Sequence, residues 1–318
     1  MVVKQDDQVV AQAPASEVEG IYFLTQAASL TVEAVRATSL AGAAMTFLGP
    51  GGEPYALLFS PNALADAALR TRQLEAAGDN ETGLYLARAF VRAKMLNQAA
   101  NLRYFAKSRR DRQPQFYYDL RRAAREISQL AGQLDAAPSQ NGRAARTKLM
   151  AVEADAAKIY WGFVRLLIPP GLGFRGRIRR RAPDSFNVAL NYGYGILYSK
   201  ALAAIARTGL DPYVGFLHTW RKGKATFLFD FVEGFRPYFV DRPLISWVRK
   251  GGRPTLEEGW LSRPSRDRVV RLVFKRFKTP VRFKGKRIES EQIIEASARS
   301  VAAYLKRGRP YRPHIWAW

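Results

Sequence analysis

Apolar residues follow two rhythms along the chain. Up to about residue 60 they come in short runs: Gly20-Ile-Tyr-Phe-Leu24, Ser29-Leu-Thr-Val32, Ala44-Met-Thr-Phe-Leu48 and Tyr55-Ala-Leu-Leu-Phe-Ser60. These are of strand length, and the turn-forming Gly49-Pro-Gly-Gly-Glu-Pro54 separates the last two. Such a pattern predicts a small sheet. Residues 31–41 read as a short helix packed on it. From residues 65–75 onward the apolar spacing becomes three and four, with Ala, Leu and Arg prominent. That spacing predicts helices over 63–77, 82–108, 115–134, 143–167, 185–208 and 289–306. Residues 136–142 and 171–184 read as loops. Pro169-Pro170 ends the fourth helix and Gly209 caps the fifth. No repeat period is visible. The expected class is α+β: a small β-rich domain at 1–75, then a larger all-α domain at 76–318.

Charge divides the chain in the same way. Its 318 residues suffice for two ordinary domains, and 47% apolar content excludes a disordered basic tail. Lys and Arg number 51 against 27 Asp and Glu, a formal charge of +24. Residues 1–80 hold 4 basic and 9 acidic residues, net −5, which leaves +29 on the rest. A surplus of that size on the helical part calls for a polyanionic partner. No cysteine is present, which excludes a disulfide scaffold, a thiol nucleophile and Cys-ligated metal. Two histidines, His218 and His314, exclude a His-rich cage. No apolar run reaches the roughly 18 residues of a membrane span. Lys4, Asp6 and Asp7 stand where a signal peptide needs an apolar stretch. The expected setting is cytoplasmic, with no membrane partner.

Several segments carry candidate chemistry. Gly171-Leu-Gly-Phe-Arg-Gly176 fits G-x-G-x-x-G, but it follows a helix and two prolines rather than a strand, so no dinucleotide site is expected. Gly223-Lys224-Ala225 likewise fails as a phosphate-binding P-loop. Arg175, Arg177, Arg179, Arg180 and Arg181 form a dense run suited to a phosphate backbone; the alternative is a self-repelling solvated linker. Phe274, Phe277 and Phe283 alternate with cations, as in single-strand binders. For Phe274 and Phe277 an amphipathic element with buried rings is the favoured reading. His218 is followed by Asp230 and Glu233, whose spacing of three puts both carboxylates on one side of a helix. An imidazole with carboxylates suits Mg²⁺ or Mn²⁺ in phosphoryl chemistry, although a lone histidine is also commonly structural. Glu153 has small neighbours in Ala154, Ala156 and Ala157 that would let a substrate strand approach, but by spacing alone an exposed helix residue is the favoured reading. His314, near Trp316 and Trp318, reads as structural.

Together these blocks resemble one family. Glu153-Ala-Asp-Ala-Ala-Lys-Ile-Tyr160-Trp161, Asn187-Val-Ala-Leu-Asn191-Tyr192-Gly-Tyr194 and Gly209-Leu-Asp-Pro212 through Phe216-Leu-His218 resemble, in order, motifs of the CRISPR-associated Cas1 endonuclease/integrases. So do Asp230-Phe-Val-Glu233-Gly-Phe235-Arg236-Pro237 with Asp241, and, upstream, Arg70-Thr-Arg72-Gln73 and the segment 87–98 with Lys94, Asn97 and Gln98. The resemblance runs over most of residues 9–318. It implies a small β domain before a helical catalytic domain. It implies Glu153, His218 and Glu233 as ligands of Mg²⁺ or Mn²⁺, with Asp230 close by. It further implies transesterification, in which the 3′-hydroxyl ends of short foreign DNA fragments are joined into a CRISPR array, with nuclease action when water replaces the hydroxyl. The implied partners are double-stranded fragments, branched DNA, the CRISPR repeat, a second copy of the chain and a Cas2 dimer. Tyr160, Asn191, Tyr192 and Arg236 are candidates for positioning phosphate, with core packing equally open for the tyrosines.

Three departures from the family pattern carry expectations. Met1-Val-Val-Lys4 enters partway through the strand pair that usually opens the family, so an edge strand is expected to be missing. Gly234 after Glu233 is expected to loosen the metal carboxylates, because glycine weakens a helix by about 1 kcal/mol. Trp220, beside Thr219, is expected either against DNA or over the core. Two rival readings stay open: a non-catalytic DNA-binding protein of the same fold, and a transposon-type integrase with the same catalytic domain.

Overall fold

The computed structural model describes residues 1–25, 27–61, 66–78, 81–136, 142–218 and 221–316. The chain opens with an antiparallel hairpin, β1 (Val2–Gln5) and β2 (Gln8–Gln12). Asp6 and Asp7 between them take φ of 49° and 63°, the left-handed turn geometry that matches strand twist. The opening strand pair is therefore present, which corrects the expectation of a missing edge strand. It was hard to read because its valines come in adjacent pairs, Val2-Val3 and Val9-Val10, all exposed. A bulge also shifts the register between Val3 and Lys4, so no period of two survives.

A three-stranded sheet follows, in the order β3 (Gly20–Phe23), β4 (Ala44–Leu48), β5 (Pro54–Leu58). The β3 and β4 strands are parallel, and α1 (Val32–Leu40) makes the crossover between them. Thr31 starts that helix, its hydroxyl accepting from the Ala34 amide at 3.1 Å. The run at Ser29–Val32 is thus a helix start rather than a strand.

The helical part comprises α2 (Ala67–Gly78), α3 (Thr82–Lys107), α4 (Pro114–Gly132), α5 (Gly142–Leu167), α6 (Ser185–Arg207), α7 (Thr226–Val232), α8 (Arg242–Arg249), α9 (Arg263–Phe277) and α10 (Gln292–Arg307). A π-helical turn, Pro237–Asp241, joins α7 to α8. Two small hairpins decorate this part: β6 (Leu256–Glu257) with β7 (Trp260–Leu261), and β8 (Pro280–Phe283) with β9 (Lys286–Glu289). The six helices predicted from spacing are all present; α7, α8 and α9 are too short or too charged to show a period. The fold is α+β, with strands first and a helical body after. The expected start of the first helix at 63, the loop at 137–141, Thr219, Trp220 and Trp318 lie outside the described residues. No helix among the described residues is long and apolar enough to cross a membrane.

Two contacts seat the N-terminal sheet on the helical body. The β4–β5 turn lies on α6, and a Cβ built on Gly195 would fall 1.7 Å from the Gly52 carbonyl oxygen. Only glycine permits that approach, and Gly52 itself has φ of 84° over the Tyr192 backbone. Nearby, Lys278 Nζ pairs with Glu19 (3.2 Å), Glu289 (2.8 Å) and Glu291 (2.6 Å). Lys200 also pairs with Glu19 and Glu291. The carboxylates of this junction are thus served by lysines. Phe277 is fully buried against Phe239, and Phe274 meets Tyr22 edge-on at 5.3 Å. These two rings are packing groups, as favoured from the sequence.

Candidate metal and DNA site

His218 is held by a buried carboxylate. Asp230 sits inside α7, about 1% exposed. Its Oδ2 accepts from the Phe216 and Leu217 amides at 2.8 Å each, which wraps the 211–218 loop around the helix. Its Oδ1 meets His218 Nδ1 at 2.6 Å. With Nδ1–H donating to Asp230, Nε2 keeps its lone pair, and the imidazole is 48% exposed. The hydrogen bond to Asp230 raises the His218 pKa above its ordinary value. Burial pushes the Asp230 carboxyl up, against that same bond and the two amides. Asp230, expected close to the metal, is placed behind His218 as the group that orients it.

The two glutamates converge on one cation. Glu153 on α5 pairs with Lys94 Nζ from α3, and the same ammonium lies 2.9 Å from Glu233 Oε2. The other Glu233 oxygen pairs with Arg236. Arg236 also donates to the Tyr198 hydroxyl and lies over the rings of Tyr194 and Tyr198, at 4.8 and 5.2 Å. Burial works to raise the Glu233 carboxyl, but Arg236 and Lys94 outweigh it and hold it at about 2. Burial likewise opposes the Lys94 charge, yet Glu233 and Glu153 outweigh it and raise the ammonium's pKa.

Gly234 tightens this arrangement, contrary to expectation. It follows the end of α7, so no helix interior is weakened. A Cβ there would lie 2.9 Å from Ala93 Cβ on α3, so its absence lets the chain close on the helix that carries Lys94.

Glu153, His218 and Glu233 share one locale, since both glutamates act on the His218 charge. Their ligand atoms are not drawn within 4.8 Å of one another; among the described residues the trio that is comprises Glu19, Glu289 and Glu291, at the lysine-filled junction. The donor chemistry still fits a hard divalent ion. Two carboxylates already face a common cation, and the imidazole beside them has its second nitrogen fixed by a carboxylate.

The arginine run borders this site. Arg175, Arg179, Arg180 and Arg181 are exposed. Arg177 turns inward, donating to Asn187 Oδ1 at 2.9 Å and Asn191 Oδ1 at 2.5 Å, and lies over Tyr194. Asn187 and Asn191 in turn donate to the Gly176 and Arg179 carbonyls, at 2.8 and 3.1 Å. The loop is thereby tied to α6 rather than repelled into a free linker. Arg177 and Arg179 line one cleft with Lys94, Glu233 and Arg236.

Tyr160 and Tyr192, candidates for DNA contact with core packing equally open, are core residues at 0% and 3% exposure, which removes them from the DNA-facing set. The Tyr160 hydroxyl donates to Asp241 Oδ2 at 2.7 Å and accepts from Asn101 at 2.8 Å. Tyr194 donates to the other Asp241 oxygen at 2.6 Å. Burial pushes the Asp241 carboxyl up to about 6. Lys94 and Tyr198 had drawn no role from the sequence. The available signal was a polar stripe, Lys94, Asn97 and Asn101, on the buried face of α3.

Comparison with known proteins places these features in a family. The model of the family described as CRISPR associated protein Cas1 matches residues 1–273. The CRISPR-associated endonuclease Cas1 1 of Archaeoglobus fulgidus is 30% identical, covering 100% of this chain and 95% of its own. Among solved structures, a casposase bound to integration product is similar with a TM-score of 0.79 and 24% identity, over 98% of this chain and 86% of that one. A Cas6-RT-Cas1–Cas2 complex is similar with a TM-score of 0.72 and 21% identity, over 99% of this chain and 34% of that one.

Proposed function

The chain belongs to the CRISPR-associated Cas1 family, and from that premise we propose that it is a divalent-metal-dependent DNA endonuclease and integrase of CRISPR adaptation. The observation that carries the proposal is the cation held between Glu153 and Glu233, beside an imidazole fixed by Asp230 and under arginines.

Glu153, Glu233 and His218 would hold Mg²⁺ or Mn²⁺, which when bound supplies Lewis-acid polarisation of a phosphoryl oxygen. The remaining work falls to the chain. Asp230 keeps the Nδ1 proton in place, so Nε2 faces outward as a ligand. Arg236 and Lys94 keep Glu233 ionised and aimed. Arg177 and Arg179 offer guanidinium groups to backbone phosphates along the cleft. In strand transfer, the oxygen of a fragment's 3′-hydroxyl bonds to phosphorus in the array. The bond from that phosphorus to its former 3′-oxygen breaks, and the departing oxygen takes a proton. Water in place of the hydroxyl gives cleavage by the same exchange. No covalent protein intermediate is required, which suits a chain without cysteine.

The proposed partners are double-stranded and branched DNA, the CRISPR repeat, a second copy of the chain and a Cas2 dimer. The acidic β-rich region, 1–75, is assigned to protein contacts, and the basic helical region, 76–318, to DNA and catalysis. Support for the Cas2 contact is the likeness in fold to a Cas6-RT-Cas1–Cas2 complex. The likeness to a casposase supports a second reading, integration on behalf of a transposon.

Branched DNA incubated with the protein and Mn²⁺, with and without chelator, tests the activity. Glu153→Ala, His218→Ala and Glu233→Ala should each abolish cleavage and strand transfer while folding and DNA binding persist. Full activity of His218→Ala rejects the ligand assignment. Preference for a repeat-bearing target over terminal inverted repeats separates the two readings.

A further inference from the structure

A second group of cations lies where α3 gives way to α4. From Arg103 to Arg125 the chain carries eight Lys/Arg against two Asp. A cleft at this corner is lined by Arg109, Gln113, Phe116, Leu166 and Arg249 among others, and no acidic side chain among the described residues lines it.

Arg109 is its unusual member. It is only 6% exposed, yet it forms no ion pair among the described residues. It donates through one Nη to the Phe105 carbonyl near the end of α3 and lies over the Phe116 ring at 5.2 Å. Its Nε is buried with no hydrogen-bond partner. A buried guanidinium is ordinarily paired with a carboxylate, so this one has donor capacity unspent. The nearby charge is another cation, Arg249, which lies over Phe105 at 5.6 Å. Burial together with Arg249 pushes the Arg109 pKa down to about 10.

The start of α4 faces the same cleft. Gln113 precedes Pro114 and makes no side-chain cap. The Gln115 and Phe116 amides belong to the first turn, where a helix has no internal acceptors and carries its positive end.

We propose that this corner is a second phosphate-binding site, in which Arg109, Arg249 and the first-turn amides of α4 hold one phosphate group. A phosphate of bound DNA is one source, and this assignment rests on the functional reading above; free inorganic phosphate is the other. Arg109 follows Lys94 by about 15 positions, or roughly 20 Å at 1.5 Å per residue of α3. At about 3.4 Å per nucleotide, that spans some six nucleotides of a strand passing from the glutamate pair.

The test uses Arg249→Gln, Arg109→Gln, the double variant and a control, Arg299→Gln, on α10. Duplex binding is measured with chelator present across a salt series. Each single variant should lower the slope of log affinity against log salt by about one. The double variant should lose no more than either, because both cations serve one phosphate; the control should match wild type. In a second arm, wild-type Tm should rise with inorganic phosphate relative to chloride at equal ionic strength, and Arg249→Gln should lose that rise. A lost rise with an unchanged DNA slope assigns the site to the free anion. An unchanged slope with no phosphate-dependent rise in wild type overturns the proposal. Arg249 is exposed, so its variant carries the test if Arg109→Gln does not fold. A protein that binds no DNA but takes phosphate here fails the functional reading and not this one.

Discussion

The Asn97 side chain donates to the Gly234 carbonyl at 2.8 Å, one residue beyond Glu233. Its oxygen accepts from the Trp316 amide at 2.9 Å. A single amide thus ties α3, the segment bearing Glu233 and the C-terminal tail. Asn97→Ala should therefore slow cleavage by about 100-fold through misplacement of Glu233, with DNA binding unchanged. Gly234→Ala should act similarly and lower stability by about 1–3 kcal/mol, since the new methyl meets Ala93. Thermal melts and single-turnover cleavage rates check both, and wild-type rates in either variant reject the coupling.

Lys94 is the cation between two carboxylates. Lys94→Met should strip both largely enclosed carboxylates of their shared ammonium, leaving Glu233 only its pairing with Arg236, at a cost of about 3–5 kcal/mol in chelator. Mn²⁺ should restore much of the lost stability, so the metal-dependent rise in Tm should exceed that of wild type. An equal rise in both proteins places the ion elsewhere.

Asp230→Asn keeps the size of the side chain and one acceptor for the loop amides, but removes the charge that fixes the His218 tautomer. Metal-dependent cleavage should fall about 10–100-fold, with a higher Mn²⁺ requirement. Retention of the wild-type metal requirement argues that His218 does not bind the ion.

His314 packs on Trp316 at 4.5 Å and on Phe283, and burial lowers its pKa from 6.5 to about 4. Between those values the unfolded chain binds the proton and the folded chain does not. Its contribution to stability is complete above pH 6.5 and is lost as pH falls toward 4. His314→Phe should flatten the stability profile in that window, which chemical denaturation at pH 7, 5.5 and 4.5 will report.

How much was legible follows from period and length. Seven helices run to 12 or more residues, and six of them carry an apolar spacing that predicts them from sequence; the seventh, α9, is too charged to show one. The seven-residue α7 shows no such period, although its Asp230 and the capping Glu233 could be read for chemistry. The first hairpin has no buried face and hence no alternation. For Tyr160 and Tyr192 two readings stay open in the sequence, because a tyrosine near candidate site residues looks the same whether it meets solvent or, as here, the core. Lys94 was legible only as an oddity, a charge on the buried side of α3, and its two glutamate partners lie 59 and 139 residues away.

The close approach of Gly52 and Gly195 makes α6 a shared strut. The N-terminal sheet rests on it through the β4–β5 turn, and the same helix grips the arginine loop through Asn187 and Asn191 and carries the tyrosines over which Arg236 lies. A displacement of the sheet would be carried through α6 to the loop and the rings that surround Arg236 and Glu233.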